Sequence, residues 1–161
     1  MITAATASVD GTRALAAEIA GLAEPGDLVV LAGDLGTGKT AFAQGFAQGL
    51  GVEEPVTSPA FVLVRTYEGR LPLVHLDVYR LDHIQELVDL GISEILDDGA
   101  VTLVEWGDAV LPGLPPDFLE VRLATTDAVD DRLLTIRSVG LGWASRADAL
   151  RHAITAWAGS S

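Results

Sequence analysis

The stretch Gly33-Asp34-Leu35-Gly36-Thr37-Gly38-Lys39-Thr40 decides how the rest of this chain is read. It fits G-x-x-x-x-G-K-[ST], the phosphate-binding P-loop. Gly33, Gly36 and Gly38 let the backbone turn with its N–H groups aimed at a common centre, where side chains would obstruct. Lys39 reaches β- and γ-phosphates as a point charge, and the Thr40 hydroxyl is short enough to ligate Mg²⁺. The run from Gly33 through Ala41 is therefore the predicted nucleotide cradle, set at the N-terminus of a helix whose amides add positive potential. Lys39 is the sole lysine among ten basic residues.

Flanking sequence supplies the context that the motif needs. Asp27-Leu-Val-Val-Leu-Ala32 is an apolar run of strand length, opened by Pro25-Gly26. After the loop, Phe42, Phe46 and Leu50 share one helical face, with Gly51 as the predicted C-cap. Strand, glycine loop and helix together predict a nucleoside triphosphate site; a plain Gly-rich turn is the alternative.

Working outward, residues 1–8 read as a ragged start or a first strand. Asp10 is the predicted cap of a helix running to about Leu22. Residues 60–67 and 71–76 read as an antiparallel hairpin about Glu68-Gly69-Arg70. Short helical pieces are expected around 85–90 and 93–96. Val101–Glu105 reads as a buried strand ending in an acid, a proline-bearing loop follows at 111–116, and two further strands lie at 118–123 and 133–139. Ser145 and Asp148 look like a capping box opening a last helix, with Leu150, Ile154 and Trp157 inward.

The predicted fold is a single α/β domain over 1–161, a P-loop NTPase-like three-layer sandwich. Its mixed sheet has a parallel core, antiparallel edge strands and helices on both faces.

Composition narrows the function classes. With 161 residues, 49% hydrophobic and 20% charged, the chain can bury a sizeable core. No apolar run approaches a membrane span and no signal peptide opens it. The absence of cysteine excludes disulfides, thiolate zinc and a cysteine nucleophile, and a cytoplasmic setting is the expectation. A formal net charge of −13 argues against unaided binding of nucleic acid. From Asp82 to Asp98 there are six acids and no Lys or Arg, which is either a solvated face or a docking surface for a basic partner.

A P-loop needs an acid from a neighbouring strand end, holding Mg²⁺ through water or orienting the nucleophile. Asp77 and Glu105 both follow apolar runs, at the carboxyl edge where α/β sheets bind ligands. Each also reads as a turn-starting acid. His75 alternates with Asp77 and shares its face, as a structural residue or a catalyst. Arg80 either neutralises γ-phosphate charge or pairs with acids nearby. Thr57 and Ser58 are a mobile loop or a turn, and Trp106 is core or an interface anchor.

Taken in order, GDLGTGKT at 33–40, TSPAF at 57–61, HLDVYRL at 75–81, GI at 91–92 and LVEWGD at 103–108 resemble the TsaE (YjeE-like) family. These are small bacterial P-loop ATPases of tRNA threonylcarbamoyladenosine biosynthesis. The resemblance implies that Lys39 and the loop amides hold the phosphates of ATP. It implies that Thr40 and Glu105 ligate Mg²⁺ directly or through water, that Asp77 is a second catalytic or metal-side acid near the γ-phosphate, and that Trp106 packs beside the site. It also implies slow, partner-stimulated hydrolysis, with Lys39, Asp77 and Glu105 as the catalytic set. The partners would be TsaD and TsaB homologues, which carry the tRNA, and no membrane is involved. One departure is Ala60, where the family usually has Thr; Thr57 or Ser58 would have to supply the missing hydroxyl. Asp10 and Arg132 are candidate adenine contacts. A small-molecule kinase and a nucleotide-gated binding module that needs no hydrolysis remain the rival functions.

Overall fold

The computed structural model describes residues 1–34, 36–56, 64–77, 94, 97–105 and 115–158. A seven-stranded mixed sheet forms its centre. The strands are β1 (Ile2–Thr6), β2 (Leu28–Ala32), β3 (Val64–Tyr67), β4 (Leu73–Asp77), β5 (Val101–Glu105), β6 (Phe118–Thr125) and β7 (Arg132–Val139). Their spatial order is β1-β7-β6-β2-β5-β4-β3. β6, β2, β5 and β4 run parallel, whereas β1, β7 and β3 pair antiparallel toward the edges. This is the predicted mixed sheet with a parallel core. β2, β4 and β5 are near-continuous apolar runs because parallel strands are covered on both faces.

Three α-helices are described: α1 (Val9–Ala20), α2 (Lys39–Gly49) and α3 (Ala147–Ala153). One sheet face carries Val29, Leu31, Leu73, Val101, Leu103, Leu119, Val121, Leu134 and Ile136. These pack with Leu15 and Ile19 of α1, Phe42 and Phe46 of α2, and Leu150 of α3 in a single core. The opposite face, with Leu28, Val30, Leu76, Thr102 and Val104, is buried as well. The short helices expected around 85–90 and 93–96 fall outside the described residues, apart from Glu94, whose carbonyl accepts from the Asp98 amide. Among the described residues no helix is long and apolar enough to cross a membrane.

α1 and α2 approach so closely that their backbones nearly touch. A Cβ added to Gly45 would run into the Arg13 carbonyl, and one on Gly49 would meet Ala17. Small residues at this crossing let α2 lie flat under the sheet, which holds its first turn at the end of β2.

Three terminal details differ from expectation. α1 is capped by Ser8, whose Oγ accepts from the Gly11 amide, while Asp10 sits inside the first turn and pairs with Arg13 at 3.1 Å. Serine fits the extended N-cap backbone one residue ahead of the helix, and Asp10 comes too late to do so. α2 ends at Gly49 with Leu50 as its cap, and Gly51 follows in the left-handed conformation (φ 80°). Ser145 forms no capping box. Its Oγ donates to the Gly142 carbonyl at 2.7 Å inside a 3₁₀ turn, Ala144–Arg146, that precedes α3.

The same turn presents Arg146 to Asp27 in a bidentate pair at 2.7 and 2.8 Å. Its guanidinium also donates to the Leu22 carbonyl and stacks 4.1 Å from the centre of the Trp143 ring. The hydrogen bond it donates to Asp27 raises the Arg146 pKa against the opposing effect of burial. This contact locks the C-terminal segment to the turn that launches β2.

Gly45→Ala is expected to destabilise the protein by about 2–3 kcal/mol through overpacking, lowering the melting temperature by roughly 5–10 °C in a thermal melt.

Candidate functional site

The site lies at the carboxyl ends of the parallel strands. β2 ends at Ala32 and the chain turns through residues 33–38 into α2. Gly33, Gly36 and Gly38 have φ of 141°, 82° and 103°, backbone that L side chains rarely adopt. Gly33 is further constrained by space, since a Cβ there would come within 2.5 Å of the Leu123 carbonyl and 2.8 Å of Thr37 Oγ1. The loop is closed on itself by Thr37, whose amide and hydroxyl both donate to the Asp34 carbonyl, at 3.3 and 2.8 Å.

Lys39, the first residue of α2, is buried, and its Nζ donates to the Gly33 and Asp34 carbonyls at 2.8 Å each. Its ammonium is thus folded against the loop's own backbone. Thr40 and Ala41 are half-buried in the same first turn. Leu35, the remaining predicted member of the cradle, lies outside the described residues.

Arg132, at the start of β7, braces the loop from outside. Its Nε donates to the Thr37 carbonyl at 3.0 Å, and its Nη1 donates to the Val129 and Asp131 carbonyls at 2.9 and 2.8 Å. A longer contact of 3.5 Å reaches the Gly36 carbonyl. A guanidinium suits this task because its planar fork can serve several carbonyls at once. Arg132 also borders a small cavity of about 40 Å³ with Ser8, Val9, Thr12, Gly38, Ala41 and Asp130. The other candidate adenine contact, Asp10, opens instead on a separate groove of about 540 Å³ shared with Arg13, Gln44 and Glu53.

Asp77 and Glu105 are the last residues of β4 and β5, and they are register partners across the parallel pair. Glu105 is also the register partner of Leu31 of β2, two residues before Gly33. Register places Leu31, Glu105, Asp77 and His75 on one sheet face, the face that packs on α2. Glu105 is 3% exposed, Asp77 half-buried, and His75 fully buried with its Nε2 2.6 Å from Glu105 Oε2.

Register therefore brings Asp77 and Glu105 together at the strand ends beside β2, the strand that leads into the Gly33–Thr40 loop. Among the described residues no three His, Cys, Asp or Glu side chains converge as a metal cage. A cation shared with phosphates needs only one or two protein oxygens, which Thr40 and Glu105 have the chemistry to provide. Thr57, Ser58, Ala60, Arg80 and Trp106 lie outside the described residues. Arg132's grip on the loop was not legible as such, because the arginine is 95 residues from Thr37 in sequence.

Comparison with known proteins follows the same outline. The family model described as threonylcarbamoyl adenosine biosynthesis protein TsaE matches residues 6–134. The tRNA threonylcarbamoyladenosine biosynthesis protein TsaE of Bacillus subtilis is 41% identical over 136 residues, covering 84% of each chain. That of Streptomyces coelicolor is 41% identical over 140 residues, covering 83% of this chain and 94% of the relative. Among solved structures, Bacillus subtilis YdiB superposes with a TM-score of 0.79 at 34% identity, covering 94% of this chain and 97% of its own.

Removing the brace tests its role. Arg132→Ala is expected to speed hydrogen exchange of the Gly36–Gly38 amides about tenfold, through loss of roughly 1–1.5 kcal/mol of local hydrogen bonding. Exchange in the centre of β2 should stay unchanged, both being read by amide exchange and mass spectrometry.

Proposed function

The chain belongs to the TsaE family, and from that premise we propose that it is a Mg²⁺-dependent ATPase acting in tRNA threonylcarbamoyladenosine biosynthesis with TsaD and TsaB homologues. The observation that carries the reading is the pairing of the Gly33–Thr40 loop with a buried carboxylate, Glu105, on the adjacent parallel strand. A lysine, a hydroxyl and an acid at one strand edge are what phosphoryl transfer to water requires of a protein.

In this reading the loop amides and Lys39 bind the phosphates of ATP. Lys39 exchanges the Gly33 and Asp34 carbonyls for phosphate oxygens, a like-for-like trade of acceptors in a site that already shields the ammonium. Thr40 and Glu105 hold Mg²⁺, directly or through water; when bound, the ion neutralises charge that develops on the phosphates. Asp77, facing the same edge, orients the attacking water. Arg132 keeps the Gly36 and Thr37 carbonyls turned outward, which leaves the loop amides directed inward. Arg132, on the rim of the small cavity beside Gly38 and Ala41, is the candidate contact for the base.

Turnover by the chain alone is slow in this reading and rises with partners. The net charge of −13 fits a division of labour in which the partner complex holds the tRNA. A cytoplasmic setting goes with that role.

Steady-state hydrolysis of ATP, by the chain alone and with both partner homologues from the same organism, tests the reading. Expected are weak turnover alone, stimulation by the partners, and loss of at least about 100-fold in Lys39→Ala and Glu105→Gln. Glu105→Gln should still bind ATP without Mg²⁺. Turnover indifferent to the partners would remove the coupling. A rate that climbs only with a small metabolite would point instead to a kinase.

A further inference from the structure

His75 does something specific within this site. It is fully buried two residues before the end of β4, and its register partner on β5 is Leu103, not Glu105. The 2.6 Å contact between His75 Nε2 and Glu105 Oε2 is therefore diagonal. The glutamate side chain folds back from the strand end, along the sheet face, to reach the imidazole. In the arrangement that serves a metal-side carboxylate, Nε2–H donates to Glu105 Oε2, since a carboxylate oxygen accepts. The other ring nitrogen, Nδ1, has no hydrogen-bond partner among the described residues.

Their surroundings make the pair expensive as a purely structural device. Leu73, Val101 and Leu103 share its face and are all fully buried. Burying an imidazole and a carboxylate there carries a desolvation cost that two apolar side chains would avoid. What the pair provides that apolar residues would not is a fixed direction for the carboxylate. One oxygen is tied to Nε2–H, and the headgroup of a side chain with three rotatable bonds is held in one place.

We infer that His75 is a positioning residue: by holding one oxygen of the Glu105 carboxylate it fixes where the other oxygen can meet a metal beside the loop. The inference rests on the reading of Glu105 as a metal-side acid. Partners that hydrogen-bond a metal-ligating side chain act on affinity and rate through that ligand, and their loss costs about 10–100-fold in one or the other.

The test uses the full chain as wild type, His75→Leu, His75→Gln, His75→Asn and Glu105→Gln. Mg²⁺ is titrated against a fluorescent non-hydrolysable ATP analogue, and kcat and KM for ATP and a metal-free thermal melt are recorded beside it. His75→Leu should raise the Mg²⁺ concentration for half-maximal tightening about tenfold while metal-free analogue affinity stays within about twofold. It should also lower kcat far more than it changes KM. His75→Gln, whose amide N–H extends toward the position of Nε2, should recover most of both effects; His75→Asn, one methylene shorter, should not.

An unchanged Mg²⁺ midpoint in His75→Leu, with a shifted midpoint in Glu105→Gln, overturns the inference and leaves the pair structural. If Glu105→Gln shifts nothing either, the metal-side reading of Glu105 is what fails, and the inference falls with it. Should His75→Leu not fold, the Gln and Asn variants decide, and equal midpoints for those two overturn the inference.

Discussion

The parallel pairing of β2 with β5 on one side and β6 on the other sets the position of every group at the candidate site. Its hydrogen bonds place Leu31 beside Glu105, and the β4–β5 ladder then places Asp77 beside Glu105. A shift of one residue in the β2–β5 ladder would turn both carboxylates to the opposite face, away from α2 and the loop, and a shift in the β4–β5 ladder would turn Asp77 alone. Leu28 to Ala32, between the two neighbouring strands, are all buried, so the strand that carries this register is covered on both faces. The chemistry at the strand ends thus depends on an apolar constraint several residues away.

The loop is then shaped from two directions. From inside, Lys39 and Thr37 gather the Gly33 and Asp34 carbonyls. From outside, Arg132 takes the Thr37 carbonyl and ties it to the turn before β7. With these carbonyls engaged, the loop is held in its glycine-dependent conformation. The close crossing of α1 and α2 at Gly45 and Gly49 sets how far α2 stands from the sheet, and so where its first turn delivers Lys39 and Thr40. Packing, backbone conformation and charge placement all converge on one strand edge.

Much of this was legible in the sequence. Glycine spacing, an apolar run before it and a helical face after it were enough for the strand, loop and helix. Two apolar runs ending in Asp77 and Glu105 were enough to put acids at strand ends. Alternation shows which face a strand residue takes but not its neighbour across the ladder, so the diagonal contact from His75 to Glu105 was out of reach. The Arg146–Asp27 pair, 119 residues apart in sequence, was out of reach for the same reason. Helix ends were misplaced where two residues of capping type lay close together: Ser8 rather than Asp10 takes the cap, because only Ser8 has the extended backbone a cap needs. Ser145 has the right neighbours for a capping box, yet a 3₁₀ turn spends its hydroxyl on Gly142. Family resemblance added what pattern could not, a reaction and its partners for an edge that patterning alone leaves as a generic phosphate site.

The central claim is that the 33–40 loop, Thr40 and Glu105 form one nucleotide and metal site. A crystal structure of the chain with a non-hydrolysable ATP analogue and Mg²⁺ addresses it most directly. Expected are the phosphates within the loop, Lys39 Nζ moved from the Gly33 and Asp34 carbonyls to phosphate oxygens, and the ion bound by Thr40 and, directly or through one water, by Glu105. A nucleotide seated elsewhere, or an ion whose coordination omits Glu105 with His75 still holding its carboxylate, would contradict it.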